Sequence, residues 1–274
     1  CEECIKYIDQ FDKNNILTKL KSYSLTGINQ KIVDLQVLYV EVDSFIYYNS
    51  SQVANVNDLK SKIITSLTSY AKSSDLNRFG GRFKYSKVLN VIDNIDKSIT
   101  SNITRVKIRR NLNALINQFA QYELCFGNRF NVKPEGLNIK STGFRIQGQS
   151  DTVFITDTPN ADKLTGVISI VKRDETTGTN IVVVKSAGTV DYVHGEVNLT
   201  TINIVSTDKP NNIVEVQACP ESNDVIGLQD LYLEFNIPNS TINMVKDTIT
   251  SGEQISGVGY KVTSSYANGD LTRT

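Results

Sequence analysis

In DLQVLYVEVDSFIYYN, residues 34 to 49, Leu38, Val40, Val42 and Ser44 share one parity and Val37, Tyr39, Glu41 and Asp43 the other. A period of two, rich in β-branched and aromatic residues, predicts a strand with one well-buried face. Elsewhere the apolar positions recur at the helical period. Residues 1 to 22 carry Ile5, Ile8, Phe11, Ile16, Leu17 and Leu20 along one side and predict an amphipathic helix that stops near Gly27. A second helix is expected from about Asn57, its N-cap, to Ser73, with Leu59, Ile63, Leu67 and Ala71 in the apolar stripe. The pair Gly80-Gly81 then breaks the pattern. Ser86 is expected to cap a shorter helix facing inward through Val88, Leu89, Val91, Ile92 and Ile95, and residues 98 to 110 return to alternation.

From about residue 111 the texture changes. Short runs such as FRIQG, TVFITD, GVISIVKR, TNIVVVKS and NIVEVQA are separated by Gly, Pro, Asn and Asp, the punctuation of an antiparallel β region. DETTGTN, between two of these runs, reads as a hairpin loop. The Gly- and Ser-rich tail from Ile237 onward is weakly patterned and reads as an extended arm. The expected fold class is therefore α+β: a helix, then a strand-helix-helix-strand module, followed by a mainly antiparallel β domain. The expected divisions are 1–33 for the helix and lead-in, 34–111 for the α+β module, 112–237 for the β domain and 238–274 for the arm.

Charge narrows the function. Lys plus Arg and Asp plus Glu both number 29 in the 274 residues, so no whole-molecule field draws the chain to nucleic acid or an anionic membrane. No apolar run approaches the roughly 20 residues that a membrane helix needs, and membrane insertion is not expected. The opening CEECIKYIDQ has neither an initiator methionine nor a basic-then-apolar signal, and reads as the start of a fragment with more sequence upstream. Cys1 and Cys4 form a C-x-x-C, but a zinc site would need a second close pair or histidines at ligand spacing. With Ile5, Ile8 and Phe11 they fall instead at helical spacing, as small apolar residues on a helix face. Cys125 and Cys219 stand apart, and so sparse a set suits a reducing compartment.

Candidate chemistry concentrates in GTVDYVHGEVNL, residues 188 to 199, which holds the only histidine in the chain between Asp191 and Glu196. A catalytic imidazole needs an orienting partner and a nucleophile within hydrogen-bond reach. On an extended chain Asp191 and Glu196 are expected on other faces or at other heights, and no G-x-S-x-G elbow supplies a serine. The segment reads as two strands meeting in a tight turn at His194-Gly195, with a solvated histidine. No phosphate-cradling G-x-x-x-x-G-K-[ST] occurs, and NRFGGRF does not follow a strand as a dinucleotide fingerprint would. The basic run RVKIRR puts Arg105, Lys107 and Arg109 on one parity against Val106 and Ile108, which reads as a strand with a solvated face or a protein-contact edge. No catalytic residue, metal or cofactor is expected.

The order of these pieces resembles a known family. The segment DLKSKIITSLTSYAKSSDLNRFGGRFKYSKVLNVIDNIDKSITSNITRVKI looks like the module of baseplate J-like proteins of contractile-tailed bacteriophages. It shares the glycine turn at Gly80-Gly81, the serine at Ser86, and Ile92, Ile95, Ile103 and Val106 leading into a strand. GTVDYVHGEVNL and KLKSYSLTGINQKIVD are similar to segments of the wedge proteins of T-even-type phages, and the likeness runs over most of residues 16 to 235. The resemblance implies a structural virion protein that associates with itself, as a homodimer or ring, and with other baseplate wedge proteins. It implies an inner ring joining wedges around the hub and a part in relaying sheath contraction. It carries no catalytic residues. Self-association is expected through Ile5, Ile8 and Phe11 or through the edges of the β domain. The rival reading is a carbohydrate- or receptor-binding adhesin, which a chain with no tryptophan to line a sugar groove fits less well.

Overall fold

The computed structural model describes residues 10–24, 35–73, 76–174, 176–228 and 231–250. The chain divides into two compact units, residues 1–36 and 37–274. In the first, helix α1 (Gln10–Lys21) ends in Lys19 and Lys21, cations that suit the negative end of the helix dipole. Its Ile16 and Leu20 are exposed. Ile5 and Ile8 lie outside the described residues, and of Phe11 only the backbone is described.

Among its described residues the second unit holds helices α2 (Val56–Ala71) and α3 (Tyr85–Asp93), and fifteen strands are described in all. The strands are β1 (Gln36–Tyr48), β2 (Arg78–Phe79), β3 (Arg82–Phe83), β4 (Ile99–Asn113) and β5 (Phe119–Cys125). They continue with β6 (Lys140–Ser141), β7 (Phe144–Ile146), β8 (Phe154–Pro159), β9 (Thr165–Arg173) and β10 (Asn180–Asp191). The last are β11 (Glu196–Thr207), β12 (Ile213–Ala218), β13 (Val225–Ile226), β14 (Leu231–Phe235) and β15 (Thr241–Lys246).

Thirteen of these form one sheet in the order β2-β14-β1-β4-β12-β6-β8-β9-β10-β11-β5, with β15 also on β1 and β7 also on β11. β13 and β3 form a separate pair. Strand β15 runs parallel to β1, and the β1–β4, β4–β12 and β8–β9 pairs are antiparallel.

This corrects the α+β expectation. Among the described residues 47 % are strand and 16 % helix, and the fold is β-dominated, built on one large mixed sheet. The physical reason is that strands on both sides of residue 111 bond to each other. β4 crosses that position unbroken and pairs with β1 on one side and β12 on the other. The expected arm also enters the sheet, since residues 241–246 are β15.

The buried apolar residues form one cluster reaching from Leu38 to Ile242. Leu38, Val40, Val42 and Ile46 of β1 meet Leu59, Ile63 and Leu67 of α2 and Val88 and Ile92 of α3 there. The helix starts differ from expectation by a residue or two. Asn55, not Asn57, is the N-cap of α2, and its side chain accepts from the Asn57 N–H. Ser86 lies inside α3, whose Tyr85 N–H donates to the Asp224 carboxylate from far along the chain at 2.8 Å. No local pattern could reveal a cap of that kind.

Replacing Asn55 by Ala is expected to lower stability by about 1 kcal/mol through the lost cap. Ile63→Ala, at a site with no exposure, is expected to cost about 2–5 kcal/mol. Urea denaturation of the two variants measures both, and equal losses would contradict the packing described.

Candidate functional site

Two of the three residues expected on a wet strand face, Lys107 and Arg109, are buried. Register places Tyr39 opposite Arg109 and Glu41 opposite Lys107, while β12 sets Gln217 on the other side of Arg109. Continued outward, Gln217 faces Lys140, Lys140 faces Thr156 and Thr156 faces Ser169. Paired residues share a face, so a polar row crosses six strands. Arg109 is 2 % exposed, Lys140 2 % and Glu41 2 %.

Arg109 organises the row. Its Nε donates to Glu41 Oε1 at 2.7 Å, its Nη1 lies 3.3 Å from Glu215 Oε1 and also donates to Asn111 Oδ1, and its guanidinium carbon sits 3.9 Å above the Tyr39 ring. Gln217 Nε2 donates to the second Glu41 oxygen at 2.8 Å. Lys107 stands 3.9 Å from Asp43, and Lys209 3.6 Å from Glu215. The reading of Arg105, Lys107 and Arg109 as a solvated basic stripe is thereby corrected for Lys107 and Arg109. An acidic parity on β1 faces a basic parity on β4, and the two neutralise each other inside the protein. The signal was present in the sequence as two charged strands of opposite sign, but only their pairing gives it meaning.

A second buried polar group lies further along the sheet. Tyr192 donates its hydroxyl to Asp157 Oδ2 at 2.7 Å, and Asp157 Oδ1 accepts from the Ile139 N–H at 2.6 Å. Burial pushes the Asp157 carboxyl up against the opposing pull of these bonds, and burial likewise raises the Tyr192 phenol. Burial brings the Lys140 ammonium down to about 8, helped by Lys133 and Lys107, while Asp157 pulls the other way.

The histidine turn joins β10 to β11, with Asp191 paired to Glu196. Gly195 takes φ +69°, and a Cβ there would stand 2.1 Å from the Asn128 carbonyl oxygen, so the turn demands glycine. Asp191 Oδ1 accepts from the Val193 and His194 N–H groups at 2.9 and 3.0 Å. Its Oδ2 is 2.8 Å from His194 Nδ1. The expectation that Asp191 stands apart from the imidazole is corrected: the tight turn brings them together. The bond to Asp191 raises the imidazole, and the His194 N–H chiefly holds the Asp191 carboxyl down. The histidine side chain is 69 % exposed, as the solvated-turn reading expects. Its neighbour Tyr192 faces the opposite way, into the core. The acid, the phenol and the imidazole therefore do not converge on one reacting centre.

Among the described residues no group of three or more His, Cys, Asp or Glu side chains could hold a metal, and no helix is long and apolar enough to cross a membrane. Cys1 and Cys4 fall outside the described residues.

Arg109→Met is expected to destabilise by about 3–5 kcal/mol, because it leaves Glu41 buried without its cation. The double change Arg109→Met with Glu41→Leu should recover most of that loss, read by chemical denaturation. Lys140 generates a pH effect. Its folded value near 8 lies below the roughly 10.4 of an unfolded lysine, so in that window the unfolded chain binds the extra proton. Stability from this group therefore rises between about pH 8 and 10.4 and falls as pH drops through that range. Urea midpoints across the window should show the rise in the wild type and lose it in Lys140→Met.

No curated protein matches the chain. Residues 36–111, running from the first residue of β1 almost to the end of β4, match the family described as baseplate structural protein gp6, C-terminal domain III. That span is rather more than a quarter of the chain, includes both strands that carry the Glu41–Arg109 pair, and supports a structural part in a phage tail baseplate.

Proposed function

We propose that the chain is a structural subunit of the wedge of a contractile phage tail baseplate, of the baseplate J-like kind, and performs no catalysis. On this reading it is assembled in the host cytoplasm and takes its place in the virion tail. It associates with itself, as a dimer or within the inner ring that joins wedges around the hub. It contacts other wedge proteins and helps relay sheath contraction.

The observation that carries the reading is the match to a baseplate structural domain over residues 36–111. The physical character of that segment agrees with it. β1 and β4 are inner strands locked by buried ion pairs, which suits a part that transmits force without changing register. Self-association is assigned to Ile5, Ile8 and Phe11 at the start of the chain. A second route runs through the sheet end at β5, where Phe119 is 71 % exposed.

Light scattering across micromolar concentrations tests the reading. The wild type is expected as a dimer or closed ring, with Ile5→Glu plus Phe11→Glu shifting it to monomer and Phe119→Glu serving as the test of the other route. A strict monomer at every concentration would remove self-association. A species insensitive to all three changes would remove both assigned contacts.

A further inference from the structure

Among the described residues, strand β15 is paired on one side only. Its register with β1 runs from Asp43–Thr241 to Tyr48–Lys246, and among the described residues no other strand pairs with it. Among the described residues no strand covers the outer side of residues 241–245, which there offers the N–H and C=O groups of a strand edge. Helix α2 lies beside that edge, and the two are separated by a groove of about 610 Å³. Ile64, Thr68 and Ala71 line the groove on the helix side, Asn243 on the strand side, and Ile237 is among the apolar residues between. Ile64 is 38 % exposed, apolar surface that the helix does not turn inward.

Charge gives the groove a direction. Lys60 and Lys72 both line it, no carboxylate does, and neither lysine is in an ion pair among the described residues. Twelve helical positions separate them, about 18 Å at the helix rise. An extended strand covers that length in about five or six residues.

We propose that the groove between α2 and β15 binds an extended segment of a partner protein, which adds to β15 as a further strand. The segment sets apolar side chains at alternate positions against Ile64, Ala71 and Ile237, and places two carboxylates of the same parity, about six residues apart, on Lys60 and Lys72. Main-chain bonds to an open edge supply affinity and side-chain pockets supply selectivity, the logic of strand addition. The chain's own sequence after Thr250 is a poorer match in charge, because Glu253 and Asp270 are balanced by Lys261 and Arg273. The proposal stands on the groove itself and is independent of the baseplate reading.

Fluorescence polarisation with the full chain tests it. The probe is a fluorescein-labelled octapeptide with glutamate at its second and eighth positions, valine at the fourth and sixth, and threonine at the others. Saturable binding is expected. It should weaken at least tenfold with Lys60→Glu plus Lys72→Glu, and recover when the peptide's glutamates are replaced by lysine. N-methylation of alternate peptide amides should weaken it at least tenfold against the unaltered protein, a loss that owes nothing to the folding of a variant. Hydrogen exchange of residues 241–245 should slow when the peptide is added. The proposal is overturned if no saturable binding occurs up to about 1 mM, or if the lysine-ended peptide binds the wild type equally well. It is also overturned if the outward amides of 241–245 are already protected in the free chain. Protection independent of concentration would assign the edge to the chain's own tail, and protection that grows with concentration would assign it to a second copy.

Discussion

A guanidinium cannot give up its proton inside a protein, so once buried it must be met by counter-charges held in place by the fold. Arg109 is that group here. Its ion pairs with Glu41 and Glu215, its bond to Asn111 and its position over Tyr39 draw on three adjacent strands, β1, β4 and β12. A slip of one residue in any of these pairings would carry the side chain to the opposite face, among Val106, Ile108 and the helices. The penalty for a buried, unpaired charge therefore fixes the registers of the strands around it. Such a network adds little net stability over a well-packed apolar one. Its effect lies in excluding alternatives.

A sheet whose interior registers are fixed in this way transmits load along its strands, while its margins remain available for contact. The interior strands carry the buried row from Tyr39 to Ser169. The margins carry the exposed groups: Phe119 at the β5 end and Phe79 at the β2 end. Beside them is the side of β15 that no other strand covers among the described residues. That distribution suits a structural part of a phage baseplate, for which residues 36–111 supply the family match. The histidine turn fits the same picture. Asp191 satisfies two backbone N–H groups and the imidazole in a turn that Gly195 makes possible, and Tyr192 anchors the hairpin to Asp157 from beneath.

Particular residues show how far local pattern reaches. The alternation in 34–49 and 98–110 announces two strands, and the stripe Leu59, Ile63, Leu67 and Ala71 announces α2, because side-chain period follows backbone geometry directly. The glycine in His194-Gly195 marks its turn for the same local reason. The parity rule failed where it equated polar with wet. Glu41 and Arg109 are polar and buried because each is the other's solvent, and they are 68 positions apart. The cap of α3 by Asp224 and the pairing of β15 with β1 fail to show for the same reason, since both partners are remote in the chain.

Taken alone, the sequence determined that residues 34–49 and 98–110 would be strand and that the stripe from Leu59 to Ala71 would be helix, and where the turns at Gly80-Gly81 and Gly195 must fall. Those are short-range properties, decided by dihedral preference and by the spacing of apolar side chains. Tertiary structure alone decided that strands before and after residue 111 join one sheet, that opposite charges on β1, β4 and β12 cancel out of water, and that β15 lies along β1 beside α2. Each of these depends on which distant segments meet, and the free energy that selects the meeting, burial of apolar area with every buried charge paired, belongs to the whole chain and to no stretch of it.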